Sequence, residues 1–168
     1  MNKVIIGIDP GLSGAIAVIT PEAYAVHDIP VLEVKKGKSV KRRYNAVEIA
    51  RIIRAVLTNA AAKDMNVEVW LEDVHAMPGQ GVTSMFSMGR GLGIYEGIVS
   101  AIGLPLQYIS PITWKKKVMN GQGKEKDAAV YKAQQLFPNA VLTTPRGRLL
   151  DGRAEALLIA YYGMKYSF

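Results

Sequence analysis

Residues 4–15 read VIIGIDPGLSGA, an apolar run that ends in a carboxylate and continues into a glycine-rich turn. A run that is almost entirely apolar is typical of a central strand buried on both faces of a sheet. Pro10 suits the turn because its φ angle is already fixed, and Gly11 and Gly14 suit tight turns or close backbone approach. The stretch predicts a central strand with Asp9 at its exposed end, where the carboxylate is either a turn cap or a metal ligand.

The rest of the chain predicts a mixed α/β sheet flanked by helices. Two further apolar runs follow the first with short turns between them, which indicates an antiparallel meander of three strands. A fourth strand at residues 67–72 ends in Glu72, and a short fifth strand covers residues 106–109. Apolar periodicity and breaking residues predict helices at residues 44–62, 84–102, 111–117, 124–137 and 150–162.

The composition fits one globular domain, residues 1–168, with a polyanionic partner. The chain is 49% hydrophobic and 21% charged, and its formal net charge is +7. This charge favours nucleic acid, or a membrane surface, as the partner. The chain has no cysteine, which excludes disulfides, cysteine-ligated zinc and a thiol nucleophile, and its two histidines leave little for a histidine-based metal site.

The sequence also predicts where the protein works. No apolar run reaches membrane-spanning length, and Asp9 and Pro10 cut short the first run before it could act as a signal peptide. We therefore expect a protein of the cytoplasm, in a bacterial cell or a phage-infected host, with no membrane partner.

Several segments are strongly basic. Residues 35–43 carry six lysine or arginine side chains in nine positions, which predicts an exposed loop. We interpret this loop as an arm that contacts phosphate groups, although a solvated linker would show the same pattern. The candidate phosphate-binding residues are Lys41, Arg42 and Arg43 in the arm, followed by Lys115, Lys116, Lys117, Lys124, Lys126, Arg146, Arg148 and Arg153.

Four carboxylates are predicted to converge. If the first and fourth strands run parallel as neighbours, Asp9 and Glu72 lie side by side at the sheet edge where α/β proteins bind ligands. Asp151 and Glu155 are four residues apart, so they share one face of the last helix. Taken alone, these two would also pass as ordinary acids at the start of a helix, where the dipole favours them.

Crowded carboxylates repel one another, and divalent cations remove that cost. Ligation by oxygen alone favours Mg²⁺ or Mn²⁺ over Zn²⁺. Two such ions, roughly 3.5–4 Å apart, would activate a water molecule and stabilise the leaving oxygen of a phosphodiester. Together with the basic segments, the acids predict a metal-dependent nuclease.

Gly89, Gly93 and Gly97 recur every four residues in the helix predicted at 84–102, so one face of it lacks side chains. Glycine inside a helix costs about 1 kcal/mol relative to alanine. The face therefore predicts close packing, either against the sheet or against a second copy of the chain.

The ordered set of segments resembles the RuvC family of Holliday-junction resolvases, in the RNase H-like superfamily. The resemblance is carried by IGIDPG at 6–11, VWLEDV at 69–74, PITWKKK at 111–117, GKEK at 123–126 and EALLIA at 155–160. It implies an RNase H-like fold with a five-stranded mixed sheet, and symmetric cleavage of four-way DNA junctions by a homodimer. It also implies catalytic, metal-binding acids at Asp9, Glu72, Asp151 and Glu155, and DNA-binding lysines at Lys115 and Lys126.

Two features depart from the family pattern. The family usually places its last two acids three residues apart and ends on Asp, whereas position 152 here is Gly and the last acid is Glu155. Asp151 takes the preceding role at a spacing of four. The aromatic residue that stacks on a base shortly after the second acid has no match, and His75 or Met77 stands near its place.

Three other functions match parts of the chain. A ribonuclease H would carry its second acid on the first helix, at Glu48, but Glu72 fits a strand end better. An actin-like or sugar-kinase ATP-binding module would share the turn after Asp9 but needs two related domains, so we expect no nucleotide cofactor. A non-catalytic module that binds branched DNA would not need all four acids. We predict a Mg²⁺-dependent endonuclease for four-way and other branched DNA.

Overall fold

The computed structural model of the chain describes residues 2–120 and 127–166. The strands are β1 (Lys3–Asp9), β2 (Ala15–Ile19), β3 (Tyr24–Asp28), β4 (Val31–Lys36), β5 (Ser39–Tyr44), β6 (Asn66–Glu72) and β7 (Leu106–Ile109). The helices are α1 (Ala46–Ala61), α2 (Val82–Ile102), α3 (Pro111–Val118), α4 (Ala128–Leu136) and α5 (Asp151–Tyr166). In this part of the chain, no helix combines the length and apolar character needed to cross a membrane.

The main sheet has five strands in the order β3-β2-β1-β6-β7. β1, β2 and β3 form the predicted antiparallel meander, while β6 runs parallel to both β1 and β7. Ile8 of β1 is paired with Leu71 of β6, so the next residues along the two strands are Asp9 and Glu72. The predicted five-stranded mixed sheet is confirmed, and its central strands end in the two predicted acids.

Both faces of the sheet are buried, which explains why β1 is almost entirely apolar. Ile5 packs in the cluster that includes α5, whereas Ile6 and Ile8 pack in the cluster that includes α1 and α2. Gly7 lies directly under α5, since a Cβ atom there would overlap the backbone of Ala156 and Ala160. The absence of a side chain at this position lets the last helix lie against the central strand.

The basic segment predicted as a loop is instead a β-hairpin. β4 and β5 pair antiparallel in a separate two-stranded sheet, with Val34 opposite Lys41. Val34 and Val40 favour extended backbone on either side of the turn, and Gly37 at the turn has a φ angle of 62°. The prediction of a loop was wrong because the dense charge concealed these short β-forming stretches.

The glycine face of α2 is open in the part of the chain that the structure describes. A Cβ atom at Gly89, Gly93 or Gly97 would meet nothing within 4 Å. Close packing of this face against the sheet is therefore the wrong alternative. The tightly packed glycine of α2 is Gly91, where a Cβ atom would overlap the ring of Tyr44.

Candidate metal centre

Three carboxylates from three elements meet at the carboxyl ends of β1 and β6. Asp9 ends β1, Glu72 ends β6, and Glu155 lies in the second turn of α5. One carboxylate oxygen from each residue lies within 4.8 Å of the oxygens of the other two. The parallel pairing of β1 and β6 sets the first two side by side, and α5 brings the third.

Glycines allow α5 to come this close. At Gly152, a Cβ atom would overlap the carbonyl oxygen of Ser13 and the Cα atom of Gly14, so the start of α5 lies on the turn after β1. At Gly14, a Cβ atom would overlap the carbonyl group of Asp9. Together with Gly7, these positions bring the helix that carries Glu155 against the strand that carries Asp9.

The site resists ionisation of its own carboxyl groups. Burial, followed by repulsion from Glu155 and Glu72, raises the pKa of Asp9 to about 7, although the backbone N–H of Gly11 donates to this carboxylate. Glu72 is only 5% exposed, and its burial raises its pKa as well. A hydrogen bond from Trp114 opposes that rise in the pKa of Glu72.

The donor set fits a hard divalent cation. Three clustered carboxylates offer oxygen ligands only, and such ligands suit Mg²⁺ or Mn²⁺ rather than Zn²⁺. Partly buried negative charges held close together repel one another, and a bound cation would remove this repulsion. Within residues 2–120 and 127–166, Asp9, Glu72 and Glu155 are therefore the group that could hold such an ion.

Asp151, the fourth predicted acid, is not part of this group. It is the first residue of α5, exposed to solvent, and lines a separate cleft with Ser13 and Arg148. The spacing of four residues places Asp151 on the same side of α5 as Glu155, but one turn nearer the N-terminus of the helix. Gly152, three residues before Glu155, packs on the backbone of the turn and leaves no room for a side chain.

Helix α3 contacts two of the three acids. The indole Nε1–H of Trp114, a fully buried side chain, donates to Oε1 of Glu72 over 2.8 Å. Lys115 Nζ lies 2.8 Å from Oε1 of Glu155 and 5.0 Å from the centroid of the Trp114 ring. Sequence reasoning selected Lys115 but missed Trp114. A buried indole N–H usually has an acceptor, which draws attention to Trp114 but does not identify Glu72 as its partner.

The basic hairpin is attached to the turn that follows Asp9. Arg42 Nη2 donates to the carbonyl oxygen of Leu12 over 2.8 Å. The hydroxyl of Tyr44, at the base of the hairpin, donates to the carbonyl oxygen of Pro10 over 2.9 Å. The arm therefore stands next to the acidic group rather than at a distance from it.

The other basic candidates have different surroundings. Side chains exposed to solvent are Lys41, Arg43, Lys116, Lys117, Arg146 and Arg148. Arg153 is engaged at the surface, where its Nε and Nη2 atoms donate to the two carboxylate oxygens of Asp28 over 2.6 and 2.8 Å. The guanidinium predicted to bind phosphate is therefore paired with a carboxylate in this structure. Lys124 and Lys126 lie outside the described residues.

Two solved structures of RuvC from Thermus thermophilus share this fold. The first, in complex with a Holliday junction substrate, has a TM-score of 0.58 and 18% identity, over 98% of this chain and 94% of that chain. The second has a TM-score of 0.50 and 20% identity, over 96% of this chain and 95% of that chain. This similarity confirms the predicted RNase H-like fold.

A crystal structure of the yeast mitochondrial Holliday junction resolvase is more distant, with a TM-score of 0.40 and 15% identity, over 95% of this chain and 76% of that chain. No protein-family model matches the chain, and no curated protein matches it by sequence.

Proposed function

We propose that the chain is a metal-dependent DNA endonuclease that resolves four-way junctions and acts on other branched DNA. The observation that carries the proposal is the group formed by Asp9, Glu72 and Glu155 at the carboxyl ends of the central strands. The RuvC fold supports it, since one structure with that fold holds a Holliday junction substrate. A net charge of +7 suits a partner with a phosphate backbone.

Asp9, Glu72 and Glu155 would hold the cofactor, which we propose to be Mg²⁺ or Mn²⁺, with two ions per subunit. When bound, the ions supply an activated water and charge neutralisation at the scissile phosphodiester. The side chains themselves fix the place of the reaction, because the strand ends and α5 hold them within a few ångströms of one another. The exposed Asp151 lies beyond these ligands, at the start of α5.

DNA would lie across the edge of the sheet where the acids stand. The hairpin formed by β4 and β5 borders this edge on one side, and α3 borders it on another. The proposed phosphate contacts are Lys41, Arg42 and Arg43 on the hairpin, Lys115 and Lys116 on α3, Arg146 and Arg148 before α5, and Lys124 and Lys126 outside the described residues. Contacts of this kind provide affinity without reading the base sequence.

A homodimer is proposed from the open face of α2. Val82 and Phe86 are 78% and 73% exposed, and they continue the line of Gly89, Gly93 and Gly97 along the helix. Large exposed apolar side chains beside a face without side chains suit a second helix packed closely against it. Two copies would present two acidic sites, as symmetric cleavage of a junction requires.

Cleavage assays test the proposal against its two rivals. End-labelled four-way, three-way, flap and duplex DNA and an RNA–DNA hybrid would be incubated with the protein, with and without Mg²⁺. We expect paired nicks in the four-way junction that depend on Mg²⁺. Preferential cleavage of the hybrid would favour a ribonuclease H-like enzyme, and binding of the junction without cleavage would favour a non-catalytic module.

The proposed function also indicates where in the cell the protein acts. Branched DNA arises where DNA is recombined, so we place the chain in the cytoplasm of a bacterial cell or a phage-infected host. We propose that residues 1–168 act as a single nuclease domain.

A further inference from the structure

Trp114 combines full burial with a hydrogen bond to an acid of the proposed metal centre. Its indole Nε1–H donates to Oε1 of Glu72 over 2.8 Å, and Glu72 is itself buried. A hydrogen bond to an ionised acceptor is stronger than one between neutral groups. A buried carboxylate that loses its donor also bears the full cost of its lost solvation. The contact therefore stabilises the charged form of Glu72 in one orientation.

The backbone around Trp114 makes this contact rigid. β7 pairs with β6 so that Ile109 is opposite Glu72, and α3 starts two residues after Ile109. The side chain of Ser110 caps α3 by accepting the backbone N–H of Thr113 over 3.2 Å. β6, which carries Glu72, is therefore connected to α3, which carries Trp114, through its pairing with Ile109 and the cap at Ser110.

Lys115, the next residue of α3, differs from Trp114 in its freedom to move. Its side chain is 46% exposed and bridges from the Trp114 ring to Glu155. A lysine in this position can leave Glu155 for another anion. The buried indole has no such alternative, so the fixed member of the pair is the one that holds Glu72.

We propose that Trp114 is a positioning residue that fixes the Glu72 carboxylate for the divalent cation and thereby sets the affinity of the site. One oxygen of Glu72 is held by the indole over 2.8 Å, and this contact restricts the orientation in which the carboxylate meets the other acids. Residues that orient metal ligands by hydrogen bonds typically change metal affinity by about 10- to 100-fold when they are removed. The inference rests on the metal centre of the proposed function.

The chain provides a matched control. Trp70 is also buried, and its Nε1 atom has no hydrogen-bond partner among the described residues. Trp114→Phe and Trp70→Phe therefore remove the same N–H group and leave an aromatic ring. Only the first removes a hydrogen bond to an acid.

The first measurement is the affinity for Mg²⁺ and Mn²⁺, by calorimetry on the full chain and from the Mg²⁺ dependence of junction cleavage. We expect Trp114→Phe to weaken the affinity by about 10- to 100-fold, with little change in the rate at saturating metal. Trp70→Phe should bind as the unchanged chain does. Equal affinities for the two variants would overturn the inference.

A second measurement leaves Trp114 in place, so that it remains valid if Trp114→Phe fails to fold. Trp70→Phe retains a single indole, because the chain has two tryptophans. Its ¹H–¹⁵N resonance should shift as Mg²⁺ is added, and the shift should be lost when Glu72→Gln is combined with it. An indole resonance that does not respond to saturating Mg²⁺ would refute the positioning role.

These outcomes separate the inference from the proposed function. A chain that binds Mg²⁺ with the indole response but cleaves no branched DNA retains the positioning role and loses the nuclease. A chain that resolves junctions with equal Mg²⁺ dependence in both variants retains the nuclease and loses the positioning role.

Discussion

Lys115 forms an ion pair with Glu155, one of the three clustered acids, in which Nζ lies 2.8 Å from Oε1. The side chain of the lysine is partly exposed, so solvent screens much of its attraction for the carboxylate. Its importance lies in its place, because this half-exposed cation contacts an acid of the site beside the surface where DNA is proposed to bind. Lys115 neutralises Glu155 in this arrangement, and we propose that it contacts a phosphate when DNA is bound.

Asp9→Asn should abolish cleavage of a four-way junction and leave junction binding largely intact. The change removes one of three clustered carboxylates and the charge that attracts the cation. The basic residues proposed to bind DNA are untouched. Cleavage and gel-shift assays on the same preparation measure both properties. Undiminished cleavage would remove Asp9 from the metal centre.

Asp151→Asn should behave differently from Asp9→Asn. Asp151 is exposed at the start of α5 and outside the group formed by the other acids. We expect its Mg²⁺ dependence and cleavage rate to stay close to those of the unchanged chain. A loss of cleavage as complete as that of Asp9→Asn would restore Asp151 to the metal ligands.

Lys115→Ala and Lys116→Ala should each lower the salt dependence of junction binding, because both lysines of α3 are proposed to contact phosphate groups. Each lost phosphate contact reduces the slope of log K against log salt by about one. Only Lys115 also pairs with Glu155, so only Lys115→Ala should change the Mg²⁺ dependence. An unchanged salt slope for both variants would exclude α3 from the DNA contacts.

The metal-free protein should lose stability as the pH rises from about 4 toward 7. The pKa of Asp9 is raised from 3.8 to about 7, so between these values the folded state holds a proton that the unfolded state has released. The free energy of unfolding contributed by Asp9 is therefore greatest at low pH and falls as the pH rises through the folded pKa. Urea unfolding in EDTA, compared with Asp9→Asn, isolates this contribution. A contribution that grows with pH would contradict the assigned direction.

Gly93→Glu should separate the proposed dimer without unfolding the protein. A Cβ atom at Gly93 meets nothing within 4 Å in the described chain, and Glu favours the helix more than Gly does. In a dimer packed through this face, the added carboxylates of the two copies would lie close together and repel each other. Analytical ultracentrifugation should show a dimer for the unchanged chain and a monomer for the variant. A monomer for the unchanged chain at micromolar concentration would reject the dimer.

Much of the fold was predictable because its determinants are local. The all-apolar run before Asp9 indicated a central strand, and the position of Glu72 at a strand end indicated its place beside Asp9. The hairpin of β4 and β5 escaped prediction, since its valines are scattered among lysines and arginines and pair with no strand of the main sheet.

The rest of the site depends on contacts between distant residues. Spacing alone placed Asp151 with Glu155, but the packing of Gly152 on Ser13 and Gly14 decides how α5 meets the turn. The bond from Trp114 to Glu72 joins residues 42 positions apart, so no local pattern could reveal it. Such contacts are set by how strands and helices assemble, which periodicity does not encode.

The anchoring of the hairpin has a mechanical consequence. Tyr44 and Arg42 attach the hairpin to the backbone of Pro10 and Leu12, immediately after Asp9. Because of these two hydrogen bonds, a displacement of the hairpin would be passed to the turn that follows Asp9. A DNA strand bound to the hairpin, as proposed, would therefore act on the turn that positions Asp9.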